Sequence, residues 1–177
     1  KVDWFLKADD DTYVIVENLR YFLSGFNTSE PLYFGHKFKT IVKNGFFSGG
    51  AGYALSKEAT RRFVTIGYHN ASLCRKDHGG AEDVEMANCM EKLNVSAMDT
   101  RDSQGRGRFF PFGVNFHYFP GEIYADVHWV VIVARIALYP SITFTQEPCT
   151  YWISSSIKFV LLGWWTIVLQ FQNHRQM

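Results

Sequence analysis

Residues 2–12 read Val-Asp-Trp-Phe-Leu-Lys-Ala-Asp-Asp-Asp-Thr, an apolar run that ends in three consecutive carboxylates. The first part of the run, residues 2–7, is typical of a buried strand. Because side chains two positions apart in an extended chain point to the same side, we expect Asp9 and Asp11 to lie together at the end of that strand. Hard oxygen ligands in this arrangement predict a site for Mg²⁺ or Mn²⁺. The alternative is an acidic turn that caps the next helix.

Strands and helices alternate downstream of this run. Apolar residues at helical spacing predict helices over 15–23, 56–66 and 82–93, the second of them capped by its first residue, a serine. A strand-like pattern precedes each of the first two helices, and another covers residues 31–35. This alternation is typical of a layered α/β domain.

The overall composition excludes several classes of protein. The chain has 177 residues, of which 47% are hydrophobic and 20% charged, so it can bury a sizeable core and is not disordered. Its formal net charge of +1 argues against a polybasic nucleic-acid binder, and we expect no nucleic-acid partner. Aromatic residues make up 17%, which suits a carbohydrate-binding or membrane-interface protein without deciding between them.

The composition changes sharply near Gly121. Residues 122–177 contain only three basic and three acidic residues, but four of the five tryptophans. We therefore expect two regions, a part with alternating strands and helices over residues 1–121 and a divergent apolar tail over 122–177. The tail has apolar stretches at 127–138 and 157–171, neither of which reaches the ~20 clean apolar residues of a membrane helix. The second stretch is a marginal membrane segment, a buried strand or helix, or part of an aberrant C-terminus that packs poorly.

Two further places carry residues suited to catalysis. Glycines precede Glu82 and Asp83 at the predicted start of a helix, where a carboxylate that faces a cleft can act as a general base. The alternative is simple stabilisation of the helix dipole. His117 lies between aromatic residues and could complete a metal site, or it could be a packed core histidine.

Cysteines and glycosylation sequons bear on the compartment. The chain has three cysteines, so at most one internal pair can form. Asn-x-Ser/Thr sequons begin at Asn27, Asn70 and Asn94 and favour the secretory pathway with N-glycosylation. The alternative is that all three sequons are accidental.

Short motifs follow one another in a fixed order along residues 1–121. They are WFLKADDDTYV at 4–14, YFG at 33–35, SGGAGY at 48–53, EDV at 82–84, CME at 89–91, Asn-Val at 94–95, Asp102 and Pro-Phe at 111–112. This ordered set resembles glycosyltransferase family 31, and within it the core 1 β1,3-galactosyltransferases. Retention of the acidic triplet favours the enzymes over a noncatalytic chaperone relative that lacks it.

The resemblance implies a fold, a reaction and a location. It implies an α/β fold of the GT-A type (the nucleotide-diphospho-sugar transferase fold), of which residues 1–121 would be the C-terminal part. It implies transfer of galactose from UDP-galactose, with inversion and Mn²⁺, in β1,3 linkage to O-linked N-acetylgalactosamine of a glycoprotein, which is core 1 O-glycan synthesis. The enzymes are Golgi membrane proteins with a lumenal catalytic domain, and a homodimer is a further expectation.

The resemblance also implies roles for individual residues. Asp83 would be the general base that takes the proton of the acceptor hydroxyl. The remaining assignments are metal ligands at Asp9, Asp11 and His117, donor-binding residues at Asp10, Gly49 and Gly50, and a disulfide between Cys74 and Cys89.

The two ends of the chain depart from the family pattern. The membrane anchor and the uridine-binding half of the sheet would precede Lys1, so we expect a piece of a longer protein. Residues 122–177 do not align with the family, which leaves acceptor binding open. We therefore expect the chain alone to be inactive, with an exposed apolar edge along residues 2–6. The alternative function is a noncatalytic binding or chaperone module, which binding of UDP and Mn²⁺ would distinguish from the enzyme.

Overall fold

A computed structural model describes residues 2–39, 41–113, 143–145, 158–161 and 166–171. Its helices are α1 (Val16–Leu23), α2 (Lys57–Arg62), a π-helix (Phe63–Gly67) and α3 (Glu82–Lys92). Its strands are β1 (Trp4–Asp9), β2 (Thr12–Val14), β3 (Leu32–Gly35), β4 (Lys37–Phe38), β5 (Phe46–Phe47), β6 (Tyr53–Ser56), β7 (Ser96–Ala97), β8 (Phe109–Gly113), β9 (Thr143–Thr145), β10 (Lys158–Leu161) and β11 (Thr166–Phe171).

Six strands form the main sheet, in the order β10-β11-β1-β6-β3-β7. Strand β1 is in the interior of this sheet and pairs antiparallel with β6 on one side and β11 on the other. The pair β3–β7 is parallel. Strands β2, β8 and β9 form a separate small sheet, and β4 pairs with β5. The chain is thus a mixed α/β structure, as the sequence predicts.

The alternation of side chains along β1 builds two different layers. Trp4, Leu6 and Ala8 are buried in a cluster that includes Leu19 and Leu23 of α1. On the other face, Phe5 packs against a second cluster that contains residues of α2 and α3 together with Cys74 and Cys89. Because successive residues of a strand point to opposite faces, Lys7 and Asp9 follow Phe5 onto the second face. Apolar helix faces therefore cover both sides of the sheet.

The helices begin and pack largely as their sequences predict. Ser56 Oγ accepts a hydrogen bond of 3.1 Å from the backbone N–H of Ala59, which confirms the predicted cap of α2. In α3, Ala87 and Met90 are buried, and so is Leu93 just beyond the helix, as expected from their spacing. The difference lies after α2, where residues 63–67 form a π-helix instead of continuing the α-helix.

The acidic triplet does not continue the strand. Strand β1 ends at Asp9, and Asp10 and Asp11 form a turn before β2. The alternation of side chains along β1 therefore does not extend to Asp11. The prediction that strand geometry places Asp9 and Asp11 on the same side is wrong. Asp is favoured in turns because its side chain accepts local hydrogen bonds. Thr12 holds the turn, because its Oγ1 accepts from Asp9 N at 3.1 Å and donates to Gly50 O at 2.9 Å.

The expected exposed edge along β1 is also wrong. Strand β11 pairs with all six residues of β1, from Trp4 opposite Phe171 to Asp9 opposite Thr166. The second apolar stretch of the tail thus contributes two strands, β10 and β11. The first stretch, residues 127–138, lies outside the described residues. No helix among the residues that the structure describes is long and apolar enough to cross a bilayer.

Candidate active site

Three segments that are distant in sequence meet on the α3 face of the sheet. They are the acidic turn (Asp9–Asp11), the glycine loop (Gly49–Gly52) and the first turn of α3. Strand β6, which follows the glycine loop, pairs with β1, and this pairing brings the loop beside the acidic turn. Sequence order alone separates the acidic turn from α3 by about seventy positions, a separation that only the sheet topology closes.

Lys7 lies between the acidic turn and α3. Its Nζ forms ion pairs with Asp9 Oδ1 and, at 3.4 Å, with Glu82 Oε2. The ammonium also lies 5.8 Å from the centre of the Tyr53 ring. The Lys7 side chain is only 10% exposed. This burial tends to lower the pKa of Lys7, but the carboxylates of Glu82 and Asp9 outweigh it, and the pKa is raised above its usual value.

The glycine loop contacts both neighbours. Gly49 N donates a hydrogen bond of 3.0 Å to Asp83 Oδ2, and Gly50 O accepts from Thr12. Gly52 has a φ of +70°, and a Cβ there would lie 2.9 Å from Lys7 O, so glycine is needed for the close approach to β1. The loop therefore connects the acidic turn to Asp83.

Asp83 is half-buried in the first turn of α3, and both of its carboxylate oxygens accept backbone hydrogen bonds. Oδ2 accepts from Gly49, and Oδ1 accepts from Val84 N at 2.9 Å. The contact with Gly49 shows that Asp83 faces the glycine loop. Asp83 therefore does more than interact with the dipole of α3. A carboxylate oxygen has more than one acceptor site, so Asp83 can still take a proton from a bound hydroxyl.

Glu82 has different partners from Asp83. Its Oε1 accepts a hydrogen bond from the hydroxyl of Tyr53, and its Oε2 pairs with Lys7. Burial raises the pKa of Tyr53 well above its usual value, and the charge of Glu82 raises it further. Neighbouring Tyr33 is also buried, with a pKa raised by burial and then by the charges of Glu82 and Asp83. Tyr33 and Tyr53 therefore stay neutral at physiological pH, and the hydroxyl of Tyr53 donates its hydrogen bond to Glu82.

The acidic turn has the donor chemistry of a divalent-cation site. Partial burial raises the pKa of Asp11, and the charges of Asp9 and Asp10 raise it further. A divalent cation would relieve this excess of negative charge. Among the described residues, however, no three His, Cys, Asp or Glu side chains are grouped so that they could hold a metal ion. The turn thus fits part of a metal site, and further ligands would have to come from elsewhere.

The predicted site residues differ in where the structure places them. Asp9, Gly49, Gly50 and Asp83 come together as described, and Asp10 and Asp11 complete the turn beside them. His117 lies outside the described residues, so its role as a metal ligand stays a prediction.

Cys74 and Cys89 form a disulfide with their Cα atoms 4.6 Å apart, which confirms the predicted pair. It joins the segment after the π-helix to α3, the helix that carries Asp83. Gly67 makes room for it, because a Cβ there would lie 2.6 Å from Cys74 Sγ. The disulfide therefore anchors the middle of α3 within the second core cluster.

The three sequon asparagines are exposed. The side-chain oxygens of Asn27 and Asn70 each accept a hydrogen bond of 3.0 Å, from the backbone N–H two residues later. Asn94 follows α3 with a φ of +53°. Exposure is compatible with glycosylation, which stays a prediction.

Sequence reasoning missed the roles of Lys7, Tyr53 and Glu82. The sequence contained a signal for Lys7, because it lies two positions before Asp9 on a predicted strand, and residues at that spacing share a face. The partnership with Glu82 has no such local signal, since it depends on how α3 docks against the sheet.

The Fringe-like family matches residues 1–102, more than half of the chain. The chain belongs to the Fringe-like family, glycosyltransferase family 31. The match includes the acidic turn, the glycine loop and Asp83. The assembly of these three segments is therefore part of the Fringe-like domain.

Individual relatives of this Fringe-like chain include several glycosyltransferases. Glycoprotein-N-acetylgalactosamine 3-beta-galactosyltransferase 1 of Xenopus laevis is 48% identical over 117 residues, covering 66% of this chain and 32% of the relative. Human chondroitin sulfate synthase 3 is 34% identical over 152 residues, covering 80% of this chain and 16% of the relative. This alignment covers more of the chain than residues 1–121. Mouse beta-1,3-glucosyltransferase is 27% identical over 78% of this chain and 28% of the relative. The chain thus spans less than a third of each of these relatives.

Proposed function

We propose that the protein is an inverting galactosyltransferase that transfers galactose from UDP-galactose in β1,3 linkage to O-linked N-acetylgalactosamine of glycoproteins, the reaction of core 1 O-glycan synthesis. The observation that carries the proposal is the position of Asp83, half-buried and hydrogen-bonded to Gly49 beside the acidic turn. The choice of donor and acceptor is supported by the 48% identity to the Xenopus galactosyltransferase, whose name states that acceptor. The other relatives support the glycosyltransferase class more broadly.

Asp83 would act as the general base. As the acceptor hydroxyl oxygen forms its bond to the anomeric carbon of galactose, the hydroxyl proton passes to a carboxylate oxygen of Asp83. The bond between that carbon and the diphosphate oxygen breaks, and its electron pair leaves with UDP. Attack from the side opposite the leaving group inverts the anomeric carbon. The hydrogen bond from Gly49 N holds the carboxylate in one orientation for this transfer.

The acidic turn would hold Mn²⁺ and the donor. Asp9 and Asp11 are the proposed ligands from this turn, with His117 as a third ligand and Asp10, Gly49 and Gly50 beside the donor. When bound, the cation supplies positive charge that offsets the negative charge developing on the diphosphate. Thr12 fixes the turn against Gly50, so the residues proposed for the metal and those proposed for the sugar are held together.

The proposed location is the Golgi lumen, with a membrane anchor outside the residues described and a homodimeric assembly. The disulfide between Cys74 and Cys89 supports an oxidising compartment. The exposed sequons are compatible with passage through the secretory pathway.

The test is a transfer assay on the full polypeptide that the gene encodes. UDP-galactose, a peptide carrying α-linked N-acetylgalactosamine, and Mn²⁺ are the reactants. Asp83→Asn should lower kcat by roughly 10²- to 10⁴-fold, because the amide keeps the shape but cannot accept the proton. Glu91→Gln, which changes an exposed acid near the other end of α3, should retain activity. Wild-type kcat in Asp83→Asn would remove Asp83 as the base.

The second candidate is a noncatalytic binding module. It is favoured by one observation, that the described residues alone do not group three metal ligands. Titration of UDP in the presence and absence of Mn²⁺ separates the two candidates. The enzyme requires that Mn²⁺ strengthen UDP binding, whereas a module that binds only protein or glycan would bind no UDP.

A further inference from the structure

The nearly buried ammonium group of Lys7 lies between the acidic turn and the first turn of α3. Lys7 Nζ pairs with Asp9 of the acidic turn and with Glu82 of α3, and its side chain is 10% exposed. Burying an ammonium group is costly unless charged partners compensate it. In the described part of the chain, every ion pair of Asp9 and Glu82 is made with Lys7. The three charges therefore form one unit that spans two elements.

Gly49 shows how close this unit lies to Asp83. A Cβ placed on Gly49 would be 3.1 Å from Lys7 Nζ, 3.5 Å from Glu82 Oε2 and 3.7 Å from Asp83 Cβ. The backbone N–H of the same glycine donates to Asp83 Oδ2. The ammonium of Lys7, the carboxylate of Glu82 and the proposed base thus converge on one backbone position.

We propose that Lys7 is a positioning residue that joins the acidic turn to the first turn of α3 and thereby fixes the carboxylate of Asp83 against Gly49. The proposal deepens the proposed function and rests on Asp83 as its base. Lys7 acts through Glu82, which it holds together with the hydroxyl of Tyr53. Both carboxylate oxygens of Glu82 therefore have partners, Tyr53 and Lys7. The neighbouring carboxylate of Asp83 instead contacts Gly49 of the glycine loop. Two adjacent carboxylates thus have different tasks.

The test compares Lys7→Met, which removes the charge and keeps the length, with Lys7→Arg, which keeps the charge. Lys57→Met is the matched control, since Lys57 is exposed at the start of α2. In the full polypeptide, Lys7→Met should lower kcat on the order of 100-fold, because a misplaced base loses reacting geometry. The KM values of donor and acceptor should stay within about threefold. Lys7→Arg should recover most of the lost kcat, and Lys57→Met should match wild type.

A second measurement does not depend on activity. The Gly49 amide should exchange with deuterium on the order of tenfold faster in Lys7→Met than in wild type, because its bond to Asp83 opens more often. The Leu32 amide, which donates to Ser56 Oγ on β6, is the internal reference and should not change. Unchanged Gly49 exchange in a folded Lys7→Met variant would overturn the inference, as would an equal loss of kcat in Lys57→Met.

The two proposals fail in different ways. A wild-type protein that transfers no galactose rejects the proposed function, while Gly49 exchange still decides the role of Lys7. If Lys7→Met does not fold, Glu82→Gln replaces it, because it weakens the same unit from the other side. Faster Gly49 exchange in Glu82→Gln supports the inference, and unchanged exchange rejects it.

Discussion

At the acidic turn, carboxylates occupy three consecutive positions, and their charges act on one another. The pKa of Asp11 is raised by partial burial and then by the charges of Asp9 and Asp10. An acid whose pKa is raised by folding is less favourable in its ionised form in the folded state than in the unfolded chain. At neutral pH ionised Asp11 therefore opposes folding, and this opposition fades as the pH falls through its raised pKa.

Asp11→Asn should consequently separate stability from function. At pH 7 the variant should melt at a slightly higher temperature than wild type, because the neutral amide removes a repelled charge. It should also lose the strengthening of UDP binding by Mn²⁺, since an amide oxygen is a weaker ligand for a hard cation. Thermal melts and UDP titrations with and without Mn²⁺ measure the two effects.

Asp99 provides the control of opposite sign. Its pKa is lowered to about 2, chiefly by its hydrogen bonds with the Arg101 side chain. Asp99→Asn should therefore lower the melting temperature at pH 7, and the difference should fade as the pH falls towards 2. The effect is small because both side chains are exposed. For Asp11→Asn itself, UDP binding that Mn²⁺ strengthens as much as in wild type would show that Asp11 is not a direct ligand.

At the scale of the residue, the predicted site rests on short motifs, and the roles assigned to its residues stay predictions. Asp83, the glycines and the acidic triplet were named from motifs, and the structure brings them to one face. Lys7 stands inside the same motif, but its role depends on Glu82, 75 positions later in the numbering. A tertiary ion pair between such distant positions leaves no periodic signal in a single sequence.

Among the elements, α3 depends on a crosslink for its position. The disulfide between Cys74 and Cys89 closes a loop with a sequence separation of 15. In the chain-entropy account, such a loop stabilises the fold by ~3 kcal/mol. Reduction should therefore lower the free energy of unfolding by about that amount. Denaturant unfolding with and without reductant, in a Cys149→Ala background, measures the difference.

Gly67→Ala tests the packing around the same crosslink. A Cβ at Gly67 would meet Cys74 Sγ at 2.6 Å, so the substitution should be destabilising in the oxidised protein. The cost should be smaller in a Cys74→Ala, Cys89→Ala background, where that sulfur is absent. For the reduction experiment, equal unfolding free energies of the protein with and without reductant would show that the disulfide does not stabilise the fold.

Elements were predictable where their patterns are local. Helical spacing located α1, α2 and α3, and Ser56 marked the start of α2. The boundary between β1 and β2 was missed because three identical residues carry no alternation of polarity. There the turn is held by Thr12, whose partner Gly50 lies far along the chain.

At the scale of the whole molecule, β1 is closed on one side by a strand from near the end of the chain. The register pairs Lys7 with Val168, and Val168 in turn pairs with Val160 of β10. This non-local pairing could not be predicted from the sequence, where β11 was only an apolar stretch compatible with several structures. Compositional reasoning divided the chain at Gly121, yet the pairing joins its two regions in one sheet.

Val168→Pro should open this part of the sheet. Proline removes the backbone donor and fits poorly in an interior strand, so the edge of β1 should become available to other chains. We expect a lower melting temperature and increased light scattering. Val168→Thr is the control, because threonine keeps the donor and favours strands. Identical melting of Val168→Pro and wild type would show that β11 does not pair with β1 in solution.

The strict alternation of β1 also limits how its gene can change. Trp4, Leu6 and Ala8 face the α1 layer, while Phe5, Lys7 and Asp9 face the α3 layer. Deleting or inserting a single codon within this strand would turn the residues on one side of the change to the opposite face, so that either apolar side chains would meet the carboxylates or charged side chains would enter the apolar layer. Substitutions in β1 can accumulate one at a time, but length changes cannot, so comparisons between species should find this segment free of insertions and deletions.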